Sequence, residues 1–454
     1  MPGTNLLQTL TMPCNMTLTQ SYESQRDLPM SMAYRRGTTL VAQRSYSYDS
    51  LGRPLTRSTA RNGQTVNDSF VHNSRSELAS ATVNGASYGY GYDNIGNLRM
   101  AMEASDYTLY EANALNQYTS IQENEEAAFT PTFDTDGNQT LVKTTTGIWT
   151  VAYDAENRPV SFTNAESNTV IECSYNYMGR CATKKLTING NITLHQRFIY
   201  RGYQQIACCD LTRSNHPCLW LITWDPSQPV ATRPLAIQKD GTWYTYGWDL
   251  TKNICEVYGQ HGYIRTACTY SPYGQVASSG DVEQPIQWSS EFNDTELALI
   301  YYNYRHYNPV DGRWMGRDFD QERKDLNDYL FAKNSPSYFT DVKGMWVIPV
   351  IIFIAGAVVG AYAGIFIENE CHVAGEISEK EVRQKCTRTC KYSSMWACCK
   401  NTEKSRVRKA KYICRQTLTG KKLKFYKWLD NKKTNPAECV GKNCIDKGVK
   451  CSIS

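Results

Sequence analysis

Apolar and polar positions alternate along most of the first 280 residues, as in Arg44-Ser45-Tyr46-Ser47-Tyr48, where aromatic side chains fall on every second position. A two-residue period predicts strands with one aromatic face; an amphipathic helix would repeat its apolar positions at three and four. These runs end in turn signals. Tyr48-Asp49-Ser50-Leu51-Gly52-Arg53-Pro54-Leu55 and Tyr92-Asp93-Asn94-Ile95-Gly96-Asn97-Leu98 are the clearest. Further copies are Phe133-Asp134-Thr135-Asp136-Gly137-Asn138, Tyr153-Asp154-Ala155-Glu156-Asn157-Arg158-Pro159 and Tyr175-Asn176-Tyr177-Met178-Gly179-Arg180. Asp bonds its own backbone in a tight turn, and Gly accepts positive φ.

Weaker copies at Val71-His72-Asn73-Ser74-Arg75 and Tyr110-Glu111-Ala112-Asn113-Ala114 fill the gaps. The second position of each copy falls at 49, 72, 93, 113, 134, 154 and 176, in steps of 23, 21, 20, 21, 20 and 22. The spacing predicts a β-hairpin about every 21 residues. A lone hairpin is unstable in water, so consecutive hairpins must pair side by side into one sheet. An ordinary antiparallel sandwich would need six nearly equal steps by coincidence. Residues 195–280 are less regular yet remain β-rich, with Gly241-Thr242-Trp243-Tyr244-Thr245-Tyr246-Gly247-Trp248 as a strand signal.

Composition divides the chain in two. The net charge of +5 averages a tail, 371–454, with 21 Lys+Arg against 7 Asp+Glu, and a remainder with 28 against 37. The tail is thus +14 and the rest −9. Nine of the 17 cysteines lie in that tail. Tyr (31) and Gly (29) are abundant, which favours strands and turns over a helical bundle. The start Met1-Pro2-Gly3-Thr4-Asn5 lacks the basic and apolar regions of a secretory signal, and the expectation is an array that begins partway through a repeat.

The repeat resembles the tyrosine-aspartate (YD) repeats of the rearrangement-hotspot (Rhs) family, over roughly residues 40–345. Tyr270-Ser271-Pro272-Tyr273-Gly274 is similar to the Y-x-P-Y-G element before that family's core; packing alone also explains it. The closest correspondence is Leu299-Ile300-Tyr301-Tyr302-Asn303-Tyr304-Arg305-His306-Tyr307-Asn308-Pro309, continued by Val310-Asp311-Gly312-Arg313-Trp314-Met315-Gly316-Arg317-Asp318. It resembles the Rhs-associated core, as does Leu326-Asn327-Asp328-Tyr329-Leu330-Phe331-Ala332-Lys333-Asn334-Ser335-Pro336 downstream. The resemblance implies a β-shell that encloses a C-terminal polypeptide, and an internal aspartyl protease that releases it. The positions matching that protease are Arg305, Asp318 and Asp341, with cleavage between Met345 and Trp346. Two carboxylates would serve as base and acid, and a neighbouring Arg would keep one charged. The chain departs from the family pattern twice. Asp318-Phe319-Asp320-Gln321 lacks the Pro of Asp-Pro-x-Gly, and Asp341-Val342-Lys343-Gly344-Met345 has Val342 in its place. The bland reading is that the three residues only brace the core by ion pairing.

Trp346 to Ile367 is 22 residues without a charge, long enough to span a bilayer as a helix. Gly356, Gly360 and Gly364 recur every fourth residue, a face suited to close helix packing in lipid. A helix buried inside the shell is the alternative. Beyond it, Cys371, Cys386, Cys390, Cys398, Cys399, Cys414, Cys439, Cys444 and Cys451 suggest a disulfide scaffold in a small helical domain. Cys386 and Cys390 would share a helix face. The tail has no C-x2-C pair, so no zinc or other metal site is expected, and no cofactor motif is found. Basic runs around Lys404–Lys411 and Lys421–Lys427 suit phosphate, and Phe425 with Trp428 lean toward anionic lipid over nucleic acid.

The expected organisation is mainly β. A partial repeat over 1–39 precedes a YD-repeat shell over 40–290 and the core over 291–345. An apolar transmembrane-like helix over 346–367 and a basic Cys-rich tail over 368–454 complete the chain. The expected function is a polymorphic toxin or effector delivered from a bacterial-type cell, membrane-associated or secreted, with a membrane, an immunity protein or a target-cell surface ligand as partners. The alternatives are a membrane-anchored YD-repeat interaction protein and an inactive gene fragment.

Overall fold

The computed structural model describes residues 6–226, 233–318, 326–342, 344 and 346–349, together with the backbone of four strands between 377 and 453. The chain divides into units of residues 1–360 and 361–454.

In the first unit, eleven strands from Thr9–Met12 to Tyr118–Glu123 form one sheet, and fourteen from Thr132–Phe133 to Val276–Gly280 form a second. Every strand neighbours its predecessor and successor in sequence, so each sheet is an uninterrupted antiparallel meander. The turns show why the repeat has its composition. Asp49 Oδ1 accepts from the backbone N–H of Leu51 and of Arg53, both at 2.9 Å, while Oδ2 accepts from Arg53 Nε at 2.6 Å. Asp93, Asp134, Asp154 and Asp249 repeat the two backbone contacts, and Gly52 takes φ +81° two residues from the turn's end. The Tyr before the Asp has its own task. Tyr48, Tyr153 and Tyr175 donate their hydroxyls to the carbonyls of Pro29, Gln139 and Pro159, at the start of the preceding hairpin's outgoing strand. A ring can thus be buried without stranding its polar tip.

One weak repeat shifts. The turn residue there is Asn73, whose Oδ1 accepts from Arg75 and Glu77 N–H groups, not His72. His72 ends the strand Gln64–His72, and the steps at that point become 24 and 20.

The two sheets meet face to face through their cores. Met16, Leu18, Met32 and Tyr34 of the first pack with Ile237, Tyr246, Trp248 and Tyr258 of the second. The Tyr34 hydroxyl joins both polar groups of the Trp248 backbone at 2.8 Å. The core segment supplies the remaining filling: a four-stranded sheet from Phe292–Asp294 to Arg313–Trp314, then a hairpin of Phe339–Val342 with Trp346–Pro349. Leu297, Leu299 and Met315 enter the apolar cluster of the second sheet, and Lys184 of that sheet is buried against Asp294 and Glu296.

Two expectations are corrected. The apolar stretch does not begin as a helix: Trp346–Pro349 is a strand, with Val342 in register with Trp346. Gly356, Gly360 and Gly364 lie outside the described residues. No helix among the described residues is long and apolar enough to cross a membrane, which says nothing of a β-barrel. The tail is likewise not helical where it is described. Ile377–Tyr392, Thr402–Thr417, Gly420–Trp428 and Cys444–Ile453 form an antiparallel sheet with Ile377–Tyr392 between Thr402–Thr417 and Cys444–Ile453. Positions four apart share a face in a strand as they do in a helix, so the Cys386/Cys390 spacing could not discriminate. Their register partners are Cys451 and Asp446. Cys414 stands opposite Leu423 and Cys444 opposite Tyr392; Cys371, Cys398, Cys399 and Cys439 lie outside the described residues.

Candidate cleavage site in the core

Arg305 sits in the tight connection between Leu299–Tyr301 and His306–Asn308, closed by the Tyr302 N–H donating to the Arg305 carbonyl at 3.0 Å. Its side chain is 7% exposed and its guanidinium carbon lies over Trp314, 4.2 Å from the ring centre. Such burial is tolerated because the guanidinium fork is occupied on every side. Nη2 donates to Asp318 Oδ2 at 3.0 Å, and the same nitrogen stands 3.8 Å from Asp341 Oδ2. Nη1 donates to the Asp328 carbonyl at 3.3 Å, and Nε to the Gly344 carbonyl at 2.7 Å. Burial lowers the Arg305 pKa, opposed by Asp318 and Asp341.

The two carboxylates singled out in the sequence therefore converge on the Arg305 guanidinium. Asp318 follows the strand Arg313–Trp314, and its side chain is partly wet; Asp341 lies in Phe339–Val342 and is 1% exposed. Gly344 turns the hairpin with φ +75°, and a Cβ there would come within 3.1 Å of Tyr302 Cβ. The Gly344 carbonyl held by Arg305 is one residue before the Met345–Trp346 bond. Met345 itself lies outside the described residues, as do Phe319 and Asp320.

Sequence reading missed Lys252, which is buried near this cluster. Burial pulls its ammonium down to about 8, against the opposing charges of Glu291 and Asp341. The signal was present: Asp249-Leu250-Thr251-Lys252-Asn253 puts a lysine, at φ +66°, where other copies of the turn carry Gly, Asn or Ser. A long side chain in a left-handed position calls for a local reason. Asp311, in the core motif but given no role from sequence, is buried under the junction of the two large sheets. Its neighbour Asn308 bonds both Asp311 Oδ2 at 2.8 Å and the Lys143 carbonyl at 3.0 Å.

With the fold and site in place, comparison with known proteins fixes the lineage. The Teneurin YD-shell family model matches residues 7–338, well over half of the chain. The chain belongs to the Teneurin YD-shell family. The likeness to the YD-repeat proteins of the Rhs group stands with it. The tRNA3(Ser)-specific nuclease WapA of Bacillus spizizenii is 24% identical over 271 residues, 57% of this YD-shell chain and 11% of that protein. Salivary gland surface protein 1 of Aedes aegypti is 31% identical over 112 residues, 24% of this chain and 3% of that protein. Toxin subunit YenC2 of Yersinia entomophaga is 33% identical over 82 residues, 17% of this chain and 8% of that protein. This YD-shell chain thus spans about a tenth or less of the length of these relatives. Among solved structures, TcdB2-TccC3-TEV aligns with TM-score 0.60 and 18% identity over 73% of this chain and 18% of that one. The Photorhabdus luminescens Tc holotoxin pore aligns with TM-score 0.54 and 17% identity over 73% of this chain and 18% of that one. At such identity the likeness is one of fold.

Proposed function

We propose that this YD-shell is the carrier part of a toxin-type chain that cuts itself between Met345 and Trp346 and so frees residues 346–454 as cargo. The observation that carries the reading is Arg305, which pairs with Asp318, stands within ion-pair reach of Asp341, and holds the Gly344 carbonyl one residue before the bond. Asp318, the wetter carboxylate, is the base that takes a proton from water as its oxygen attacks the Met345 carbonyl carbon. Asp341, buried, gives a proton to the Trp346 nitrogen as the C–N bond breaks. A carboxylate is left at Met345 and an amine at Trp346. Two of the named relatives, a nuclease and a toxin subunit, are of the kind this reading requires. The freed piece is strongly basic, with 21 Lys+Arg against 9 Asp+Glu, and anionic lipid or another phosphate-bearing surface is its target class.

The test is the denatured intact mass of the purified chain beside Asp318→Asn and Asp341→Asn. Pieces of 345 and 109 residues (454 − 345) in wild type alone are expected. A single uncut chain in all three would overturn the protease. It would leave the second reading, an uncut surface interaction protein, which the 31% identity to an Aedes aegypti surface protein favours.

A further inference from the structure

The wall of the second sheet carries a cysteine pair remote in sequence from the cleavage hairpin. Strands Gln204–Asp210 and Cys218–Trp224 are antiparallel neighbours, and their register sets Cys209 directly opposite Cys218. A bulge between Cys208 and Cys209 makes this pairing. It skips Leu219, so that Cys208 faces Trp220 and the next residue faces Cys218. Cys208 is buried, Cys209 is partly exposed and Cys218 is exposed, and all three are free thiols.

We propose that Cys209 and Cys218 form a redox-responsive cross-strand disulfide, closed by exchange with a small disulfide of the glutathione class and reopened by thiols. Directly opposed residues of an antiparallel pair have Cα atoms about 4.5–5.5 Å apart. That lies inside the ~4.4–6.8 Å that a disulfide spans. The strand ends need not move to meet. Pro217 and Asp210 are already joined, the Asp210 N–H donating to the Pro217 carbonyl at 2.9 Å. The connection between them is tied down at its start, by Leu211 N–H donating to the His195 carbonyl at 2.7 Å and Thr212 N–H to Asp210 Oδ1 at 2.8 Å, and is closed by His216 N–H donating to the Arg213 carbonyl at 3.0 Å. The Cys218 thiol is held above its ordinary pKa by burial and then by Cys209, as two sulfurs close together require. Cys173 and Cys181 also lie on neighbouring strands and their thiols interact, but they are diagonal rather than directly opposed, with Lys184 and Tyr175 as register partners.

The exchange balances without any other reactant. One cysteine thiolate attacks glutathione disulfide and releases one glutathione. The second thiolate attacks the mixed disulfide and releases the other. The two protein thiols are oxidised by two electrons, the small disulfide is reduced to two thiols, and their protons end on glutathione. The product closes a short loop at the sheet's surface whose tip carries Arg213, a side chain 73% exposed. The staple would be set in an oxidising compartment and absent in a reducing one.

The full-length chain, reduced and then held in glutathione disulfide, is alkylated and digested with trypsin. The sequence places Cys208 and Cys209 in peptide 202–213 and Cys218 in peptide 214–239, since trypsin does not cut the Arg233–Pro234 bond. The expected result is a linked 202–213/214–239 species, removed by dithiothreitol, missing in Cys209→Ser and in Cys218→Ser, and kept in Cys208→Ser. Brief digestion of the folded protein should also cut after Arg213 more slowly when oxidised, except in Cys218→Ser. Full alkylation of all three thiols would overturn the proposal. So would a link lost in Cys208→Ser and kept in Cys209→Ser, or one from either peptide to a tail cysteine.

Discussion

Replacing Asp311 with asparagine should remove a pH dependence built into the core. The Asp311 carboxyl is 4% exposed and is pushed from its ordinary 3.8 up to about 7. Burial is the largest cause and Glu123 adds to it, against Arg313, Lys143 and the hydrogen bond from Asn308. As pH rises, the unfolded chain loses this proton first and the folded chain keeps it, so stability falls between roughly pH 4 and 7 and stays lowered above. With a full proton difference the slope is about 1.4 kcal/mol per pH unit, and the window gives ~4 kcal/mol as an upper bound. Asparagine has nearly the same shape, cannot ionise, and can offer its amide oxygen to the Asn308 Nδ2 that stands 2.8 Å away. Urea unfolding of both proteins, followed by tryptophan fluorescence at several pH values from about 4.5 to 8, gives the difference in which other titrating groups cancel. The variant is expected to match wild type at the acid end and to exceed it by a widening margin toward neutrality. Parallel pH profiles would show that Asp311 ionises in the fold as it does in water, and the reasoning from burial would fail.

Arg305→Ala should abolish any cut at Met345–Trp346 and cost about 3–5 kcal/mol, because two carboxylates near it lose their guanidinium. Arg305→Lys should restore much of the stability but not the cut, since an ammonium cannot hold Asp318 and the Gly344 carbonyl in one planar fork. Thermal unfolding and intact mass read the two effects separately. Lys184→Met should cost about 3–5 kcal/mol by leaving Asp294 buried without its cation, measured by urea midpoint. Gly137→Ala should be more harmful than Gly63→Ala in the same assay. Both glycines have positive φ, but the new Cβ at 137 would meet Arg317 Cδ at 2.3 Å and Tyr329 Oη at 2.7 Å, while at 63 it meets nothing within 4 Å. The difference should be about 1 kcal/mol or more, since the φ cost of ~1–2 kcal/mol is common to both.

What was legible in the sequence was what is local. Asp49, Asp93 and Asp154 bond N–H groups two and four residues ahead, so the turn and its composition are one short pattern that can be read without knowing the fold. The misplaced repeat at His72 is a one-residue error of the same kind: Asn73 performs the Asp role, and the strand before it is one residue longer. The Tyr of the motif was seen as an aromatic face, but the acceptor of its hydroxyl lies 14 to 19 residues back and needs the register to be known. The tail misled for a different reason. An uncharged run and cysteines four apart satisfy helix and strand templates alike, and basic residues are compatible with both.

The site was legible as a set of residues and not as an arrangement. Arg305, Asp318, Asp341 and Gly344 lie within 40 residues, yet what buries them comes from elsewhere in the core. Tyr302, Trp314 and Phe331 stack into one aromatic cluster with Trp288 and Tyr270, and Tyr270 hangs on the last-but-one strand of the second sheet. The hydroxyl of Tyr307 reaches the carbonyl of Tyr273, and Tyr273 in turn bonds Tyr92 of the first sheet. Arg305 is desolvated only when those layers are closed over it, and desolvation is what makes its ion pairs strong. A chain whose sheets had not yet met would hold the same residues in water, where two carboxylates and a guanidinium gain little from one another. Assembly of the shell is therefore the step that turns a recognisable motif into a charged, largely buried and geometrically fixed site.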